Sequence, residues 1–352
     1  MNLDFFTGKK VFITGHTGFK GSWLCKILVD VGAEVTGYAL APEGEKNLFS
    51  LLNLDQKMQS IVGDIRDFDS LSKAFEVADP EIVIHMAAQP LVRTAYEKPV
   101  YTYDVNVMGT VNILECVRQS QNVKSFLNVT TDKVYKNKEW EWGYRENEEL
   151  NGYDPYSNSK SCSELVTESY KKSFLRALGI AVSTARAGNV IGGGDYAKDR
   201  IIPDCIRAIE SRNPIIIRNP YSIRPYQHVL EPLSVYLMIV QKQMENPELA
   251  GNYNVGPNEE DCIRTGELTA LFCKEWEKQL HQKAEYVFQA DQGPHEANFL
   301  KLDCARLKAT FGWSPKWNIH KTVEKIIEWE KEYLSGNGVE KITERQINDF
   351  FC

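Results

Sequence analysis

The sequence predicts an α/β fold: a Rossmann-type doubly wound parallel sheet with a smaller C-terminal substrate-binding region. Three observations carry that prediction. The first half alternates β-rich runs with helical patterns. A glycine-rich loop sits between the first strand and the first helix. After Arg186 the texture changes, and prolines with a triple glycine replace the alternation. Strand–helix alternation at this spacing calls for right-handed crossovers and helices on both faces of the sheet.

Taken in order, Lys10–Thr14 (KVFIT) reads as a buried strand from its apolar, β-branched content. An amphipathic helix follows the loop and runs to about Val31. Glu34–Tyr38, Ser60–Gly63, Glu81–His85, Ser125–Val129 and Ala181–Ala185 read as further strands, with helices near 67–78, 102–120 and 156–177. Prolines at 203, 214, 220, 225, 232 and 257 punctuate the later region, where helical patterns return near 266–280, 303–311 and 319–334. The expected division is 1–187 for the sheet domain, with part of 222–250 returning to it, 188–335 for the smaller region, and 336–352 for a tail without a sharp signal.

Composition narrows the class. The 352 residues are 43% apolar and 25% charged, which excludes disorder as the main state. A net charge of −7 argues against nucleic acid or an anionic membrane as partner. No run approaches 18 apolar residues, so no membrane span is expected. The start of the chain has no leader-like core, and the eight cysteines show no C-x-x-C or zinc-finger spacing. A cytoplasmic chain with reduced thiols and no metal is expected.

Thr14–Gly21 (TGHTGFKG) has the form T-G-x-x-G-x-x-G between a strand and a helix, the context a dinucleotide loop requires. Glycines allow the turn and the close approach of a pyrophosphate, and the helix N-terminus supplies free N–H groups. The second strand ends in Tyr38-Ala39, with neither the acid that favours NAD nor the arginine that favours NADP. The loop therefore leaves that choice open, and weak cofactor binding is expected. Asp64, after the third strand, fits equally an acceptor for adenine and a cap for the helix near Asp67.

Asp154–Lys160 (DPYSNSK) contains Y-x-x-x-K, a spacing that 16 tyrosines produce about once by chance. Context adds weight: Asp154 suits an N-cap and Pro155 a first helical residue. Tyr156 and Lys160 then lie one turn apart on one face. A phenol acting as base near neutral pH needs its pKa lowered by about 3 units, about 4 kcal/mol. The Lys160 cation and the helix N-terminus are the expected sources. Thr131 and Asp132 close a buried strand, at the end where ligands bind parallel sheets.

These signals come with Gly15–Leu24 (GHTGFKGSWL), His85–Arg93 (HMAAQPLVR), Asn137–Trp140 (NKEW), Gly143–Glu148 (GYRENE), Arg186–Asp195 (RAGNVIGGGD) and Arg224–Val229 (RPYQHV). Together they resemble the extended short-chain dehydrogenase/reductase family that acts on nucleotide sugars, over nearly the whole chain. The resemblance implies a redox-neutral 4,6-dehydration in deoxysugar biosynthesis for surface polysaccharide, with CDP-glucose as substrate and NAD as a recycled cofactor. It implies cofactor binding by Gly15, His16, Thr17, Gly18, Phe19, Lys20, Gly21, Asp64, Ile65, Ala87, Ala88, Tyr156 and Lys160. It implies that Tyr156, aided by Thr131 and Lys160, takes the C4 hydroxyl proton. Asp132 would protonate the departing C6 hydroxyl. Lys133 stands where relatives carry the glutamate base for C5, and a lysine there must be kept neutral. Asn189 and Arg224 match positions on the diphosphate; Gln89, Arg200, Ile201, Pro203 and Asn254 match the substrate pocket. Tyr196 and Tyr226 stand where tryptophan is expected.

Glu296, in the stretch 295–303 (HEANFLKLD), is the candidate for reading the base, because a carboxylate accepts from the cytosine amino group. An assembly of two or four copies is expected. The rival readings are a dTDP-glucose or GDP-mannose dehydratase, a 4-epimerase, which would not need Asp132-Lys133, and a non-catalytic cofactor-binding sensor.

Overall fold

The computed structural model describes residues 2–289 and 299–352. Seven parallel strands form the central sheet: β1 Lys10–Thr14, β2 Glu34–Ala39, β3 Gln59–Val62, β4 Ile82–His85, β5 Ser125–Thr131, β6 Ala181–Ala187 and β7 Asn252–Val255. Their order is β7-β6-β5-β4-β1-β2-β3. The order reverses between β1 and β4, whose ends meet at Thr14 and His85. Crevices at such reversals are where α/β sheets bind ligands.

Side chains alternate across the sheet, as period 2 demands. Val11, Ile13, Ile82, Ile84, Leu127 and Val129 face one core cluster. Phe12, Val83, Phe126 and Val182 face the other. The first cluster is covered by α1 (Phe19–Asp30), which supplies Trp23, Leu24, Ile27 and Leu28. The second is covered by α2 (Phe68–Ala78) and α3 (Gly109–Gln119). Each fully buried large side chain contributes roughly 1.5–3 kcal/mol.

The helix α4 (Pro155–Tyr170) begins as the sequence predicts: Asp154 Oδ1 accepts from Ser157 N at 3.0 Å, with Pro155 in the first turn. The later half holds α5 (Ile201–Glu210), α6 (Leu230–Glu245), α7 (Thr265–Leu280), α8 (Ala305–Phe311) and α9 (Ile319–Leu334). A third cluster of Ile202, Ile206, Leu268, Phe272, Trp276 and Ile326 packs α5, α7 and α9 together. Two features depart from the expectation. β7 adds an edge strand beside β6, and the signal-poor tail folds into α10 (Glu340–Phe351), which buries Ile342, Ile347 and Phe350. Among the described residues no helix is long and apolar enough to cross a membrane.

Candidate active site

The glycine loop closes over the reversal point. Gly15 sits at φ +78°, and a Cβ there would lie 2.8 Å from Ala87 N. A Cβ on Gly21 would lie 2.2 Å from Gly15 O. Both glycines are therefore imposed by protein packing on protein. Gly18 differs: a Cβ there would meet nothing nearer than Gly15 O at 3.5 Å. Its bareness leaves open space beside the α1 N-terminus.

Thr14 links the two strand ends. Its hydroxyl oxygen accepts from Met86 N and Ala87 N, each at 3.1 Å, and so donates to His85 Nδ1 at 2.7 Å. Thr110 Oγ1 donates to Asn106 O at 2.7 Å and lies 3.1 Å from His85 Nε2, which is then the protonated nitrogen. Burial pushes the His85 pKa down to about 3, so the ring is neutral.

At the end of β5, Thr131 Oγ1 donates to Asp132 Oδ1 at 2.9 Å. Asp132 is only 1% exposed, and its Oδ2 is buried without a partner among the described residues. Orphaned buried carboxylate oxygens are costly and mark places where a ligand completes the bonding. Lys133 Nζ stands 4.0 Å from Asp132 Oδ1 and is part-exposed. The Tyr156 phenol lies close enough to Thr131 for the threonine hydroxyl to favour its ionised form. Arg200 caps the start of α5, and its guanidinium donates to Asp195 Oδ2 at 3.0 Å. Tyr236, on α6, is fully buried with its hydroxyl unpartnered among the described residues, and its charge would be felt at Tyr156.

The electrostatics differ from the expectation. Burial pushes the Tyr156 pKa up to about 12, against the Thr131 hydroxyl and the Arg200 charge, which pull it down. The Lys160 ammonium turns to the sheet and donates to Val129 O at 3.3 Å. Burial in turn holds the Lys160 pKa down at about 8. The phenol is therefore neutral near pH 7.

Several expected site residues have other employment. Gln89 accepts from Leu91 N and donates to Leu91 O and Thr102 Oγ1, so its amide closes its own loop rather than facing a substrate. Asn254 accepts from the Tyr135 hydroxyl and donates to Tyr144 O and Asp303 O; it is a fully buried tie between chain segments. The His16 ring lies in the interior, with Nε2 2.7 Å from Ser60 Oγ and a pKa pushed down to about 4 by burial. Only its backbone is left for a ligand. Phe19 packs toward Gly192, and Ile65 lies in the core against Gly109. Asp64 is not the helix cap, a place Asp67 takes; its carboxylate accepts from the Arg66 backbone and guanidinium. Thr17 donates to Leu40 O.

Asn189 Oδ1 is buried with no partner among the described residues. Arg224 is buried on a short strand paired with Ile263-Arg264. Ile201 is half-buried and Pro203 buried in the first turn of α5. Ala87 and Ala88 line the β4 end. Glu296 lies outside the described residues.

Sequence reasoning missed a buried ion pair under α4. Arg186 donates to both oxygens of Glu164 at 3.0 Å, and also to the Tyr135 hydroxyl. It missed Tyr236 as well, since an aromatic on an apolar helix gives no signal. A cavity of about 610 Å³, lined in part by Trp140, Trp142, Arg145, Cys262 and Lys301, opens beside Gly143–Glu148. Among the described residues no group of three or more His, Cys, Asp or Glu side chains is placed to hold a metal ion.

A glycine loop at a sheet reversal, with a threonine–tyrosine pair and a lysine at the neighbouring strand end, defines the extended short-chain dehydrogenase/reductase class. The chain belongs to the GDP-mannose 4,6 dehydratase family, whose model matches residues 12–326. It is 47% identical, over 99% of its length and 98% of the relative's, to CDP-glucose 4,6-dehydratase of Salmonella typhimurium. Among solved structures it is similar to UDP-glucose 4-epimerase of Thermus thermophilus in complex with NAD, at 23% identity and a TM-score of 0.78, covering 90% of this chain and 97% of that one. It is also similar to dTDP-glucose 4,6-dehydratase of Bacillus anthracis in complex with NAD, at 20% identity and a TM-score of 0.76, covering 92% and 97%.

Proposed function

We propose that the chain is an NAD-dependent hydro-lyase that converts CDP-glucose to CDP-4-keto-6-deoxyglucose. The observation that carries this reading is the buried, unpartnered Asp132 Oδ2 beside Thr131, whose hydroxyl neighbours the Tyr156 phenol. An epimerase has no use for an extra carboxyl there. The 47% identity to a CDP-glucose 4,6-dehydratase supports the substrate.

The bare Gly18 and the orphaned Asn189 Oδ1 fit a dinucleotide and a sugar nucleotide placed on either side of the β5 end. Gly15–Gly21 would hold the diphosphate of NAD and Lys160 its ribose. NAD, when bound, supplies the hydride acceptor and a cationic ring beside the phenol. Tyr156, relayed by Thr131, takes the proton of the sugar C4 hydroxyl. Lys133 takes the C5 proton that the new ketone acidifies, and Asp132 delivers a proton to the C6 oxygen, which leaves as water; the hydride taken from C4 would return to C6 and Lys133 would give its proton back to C5, leaving the 4-keto-6-deoxy sugar. Arg200, through its charge on Tyr156, favours the phenolate.

We read 188–335 mainly as the nucleotide-sugar half and assign the chain to the cytoplasm, in keeping with its eight unpaired thiols. We infer an assembly of two or four copies, supported by exposed Val100, Met108, Leu165 and Phe174 on neighbouring helices; sedimentation decides its size. The test of function is to incubate purified protein with NAD and CDP-, dTDP- or UDP-glucose, or GDP-mannose. A 4-keto product carrying one water less, formed fastest from CDP-glucose, is expected. An epimer with unchanged mass would overturn the reading.

A further inference from the structure

α4 meets the sheet on successive turns of one face. Tyr156 stands beside Thr131, and one turn on Lys160 donates to Val129 O. A further turn along lies Glu164, to which the reaction scheme gives no part. Side chains at this spacing share a helix face.

Four donors converge on Glu164. Its Oε1 accepts from Thr130 Oγ1 at 2.5 Å and Arg186 Nε at 3.0 Å; its Oε2 accepts from Thr184 Oγ1 at 2.8 Å and Arg186 Nη2 at 3.0 Å. Thr130 belongs to β5, Thr184 and Arg186 to β6, so one side chain fastens α4 to both strands. The guanidinium also donates to the Tyr135 hydroxyl and to Glu146 O, each at 2.9 Å. Glu164 is 2% exposed and Arg186 1%. Apolar residues of like volume often stabilise such places as well as a buried ion pair does, or better. Stability alone therefore does not account for a pair sealed beneath this helix.

The pair supplies register and sign. Bidentate arginine–carboxylate pairing fixes direction as well as distance. Glu164 thus sets how α4 lies along β5, and with it where Tyr156 stands against Thr131. Its charge is also felt at Lys160, where it favours the ammonium; burial opposes it and holds the Lys160 pKa down at about 8. The other charged and titratable groups around Lys160 give no such support. Lys20 on α1 repels it, His85 at the end of β4 and Tyr156 on α4 are neutral, and Arg186 on β6 carries the same sign.

We propose that Glu164 is a positioning residue: it keeps the Lys160 ammonium charged and holds α4 in the register that sets Tyr156 against Thr131. The inference rests on the roles given to Tyr156 and Lys160 above, and one arm of its test is independent of them.

Glu164→Gln alone would leave the Arg186 charge buried without its partner and endanger the fold. The informative variant is Glu164→Gln with Arg186→Met, which removes both charges. Glu164→Asp, which keeps the charge on a shorter stem, is its companion. Ligand-free proteins labelled with carbon-13 at the lysine ε-carbon are titrated by NMR, and Lys160→Met identifies the signal. In the wild type Lys160 should titrate near pH 8. In the double variant it should titrate about one unit lower, because the ammonium has lost its supporting anion. Glu164→Asp should stay near the wild type. Hydride transfer in a single turnover is then followed against pH with NAD and CDP-glucose. Its alkaline limb should move down with Lys160 in the double variant, whereas Glu164→Asp should keep the limb and lose rate at every pH through the shifted register. An unmoved Lys160 signal in the double variant would overturn the proposal, and so would an unmoved limb, leaving the ion pair a structural tie. If the double variant does not fold, wild-type rates throughout in Glu164→Asp would overturn it equally. A wild type that transfers no hydride would overturn the proposed function, and the NMR arm would still judge Glu164.

Discussion

At the residue scale, one side chain at the start of α4 and one at the end of β5 divide the labour of the proposed reaction. Tyr156→Phe removes the phenol that neighbours Thr131. Oxidation at C4 should cease, with no build-up of reduced-cofactor absorbance in a single turnover. Asp132→Asn keeps that pair but removes the acid. C4 oxidation should persist, while loss of water slows by roughly 10²–10⁴, read by mass spectrometry of the product. Equal loss of both steps in Asp132→Asn would show that the carboxylate only holds Thr131 in place. The sequence carried these two residues because a strand end and a capped helix start are local patterns. It did not show that the Lys160 ammonium turns to Val129 O, because one helical turn sets where two Cα atoms lie and not which way a long side chain turns. Gln89 and Asn254 failed for a similar reason: a polar residue beside a site looks alike in sequence whether it faces a ligand or the backbone.

At the scale of elements, α4 is unusual in what it buries. Ser157, Ser159, Ser161, Ser163 and Glu164 are its inward side chains, along with Lys160. Small hydroxyls let the helix lie close to the sheet and satisfy its polar groups. Asn128 Nδ2 donates to Ser163 Oγ at 2.9 Å and Thr167 Oγ1 at 2.8 Å. Ser163→Val should therefore cost about 2–5 kcal/mol, from overpacking plus a donor left short of a partner. Urea unfolding measures this, and a neutral result would show that α4 has room to shift. A polar buried face defeats the search for apolar stripes, so this helix was legible through its caps, Asp154 and Pro155. α10 had neither signal: no side chain caps it, and three well-spaced apolar residues sit in a polar run. β7 is four residues long with two asparagines, too short and too polar to read as a strand.

At the scale of the whole molecule, buried titratable groups shape the response to acid. Burial holds His16 at about 4 and His85 and His228 at about 3, well below the ordinary 6.5. Between pH 6.5 and about 4 the unfolded chain takes up these protons and the folded one does not, so each histidine removes about 1.4 kcal/mol of stability per unit of acidification. Glu231 and Glu330, pushed up to about 7 by burial, act the other way. From pH 7 down to 4.5 the folded protein holds their protons and the unfolded chain does not, and each returns about the same amount. For these five groups, stability should fall by about 1.4 kcal/mol per unit from pH 6.5 to 4.5, then by about 4 per unit just below. Urea titrations at half-unit intervals would reveal the break, and Glu330→Gln should double the upper slope. A straight decline through pH 4.5 would count against the opposition of the two sets. The sheet and its reversal were legible at this scale because strand–helix alternation is a property of the chain's rhythm. The acid response was not, since it depends on which polar groups the packing seals away.

The triple glycine forms a fixed joint. A Cβ on Gly192 would run into Phe19 and Val229, one on Gly193 into Trp329, and one on Gly194 into Leu48. Trp23, from the helix behind the glycine loop, donates to Gly193 O at 3.0 Å. The glycine segment after β6 is thus riveted to α1, with no slack for a hinge at that seam. For a reaction that returns its borrowed hydride to the molecule it came from, such rigidity is apt. Turnover in the proposed reaction should proceed without α1 and the glycine segment parting at that seam.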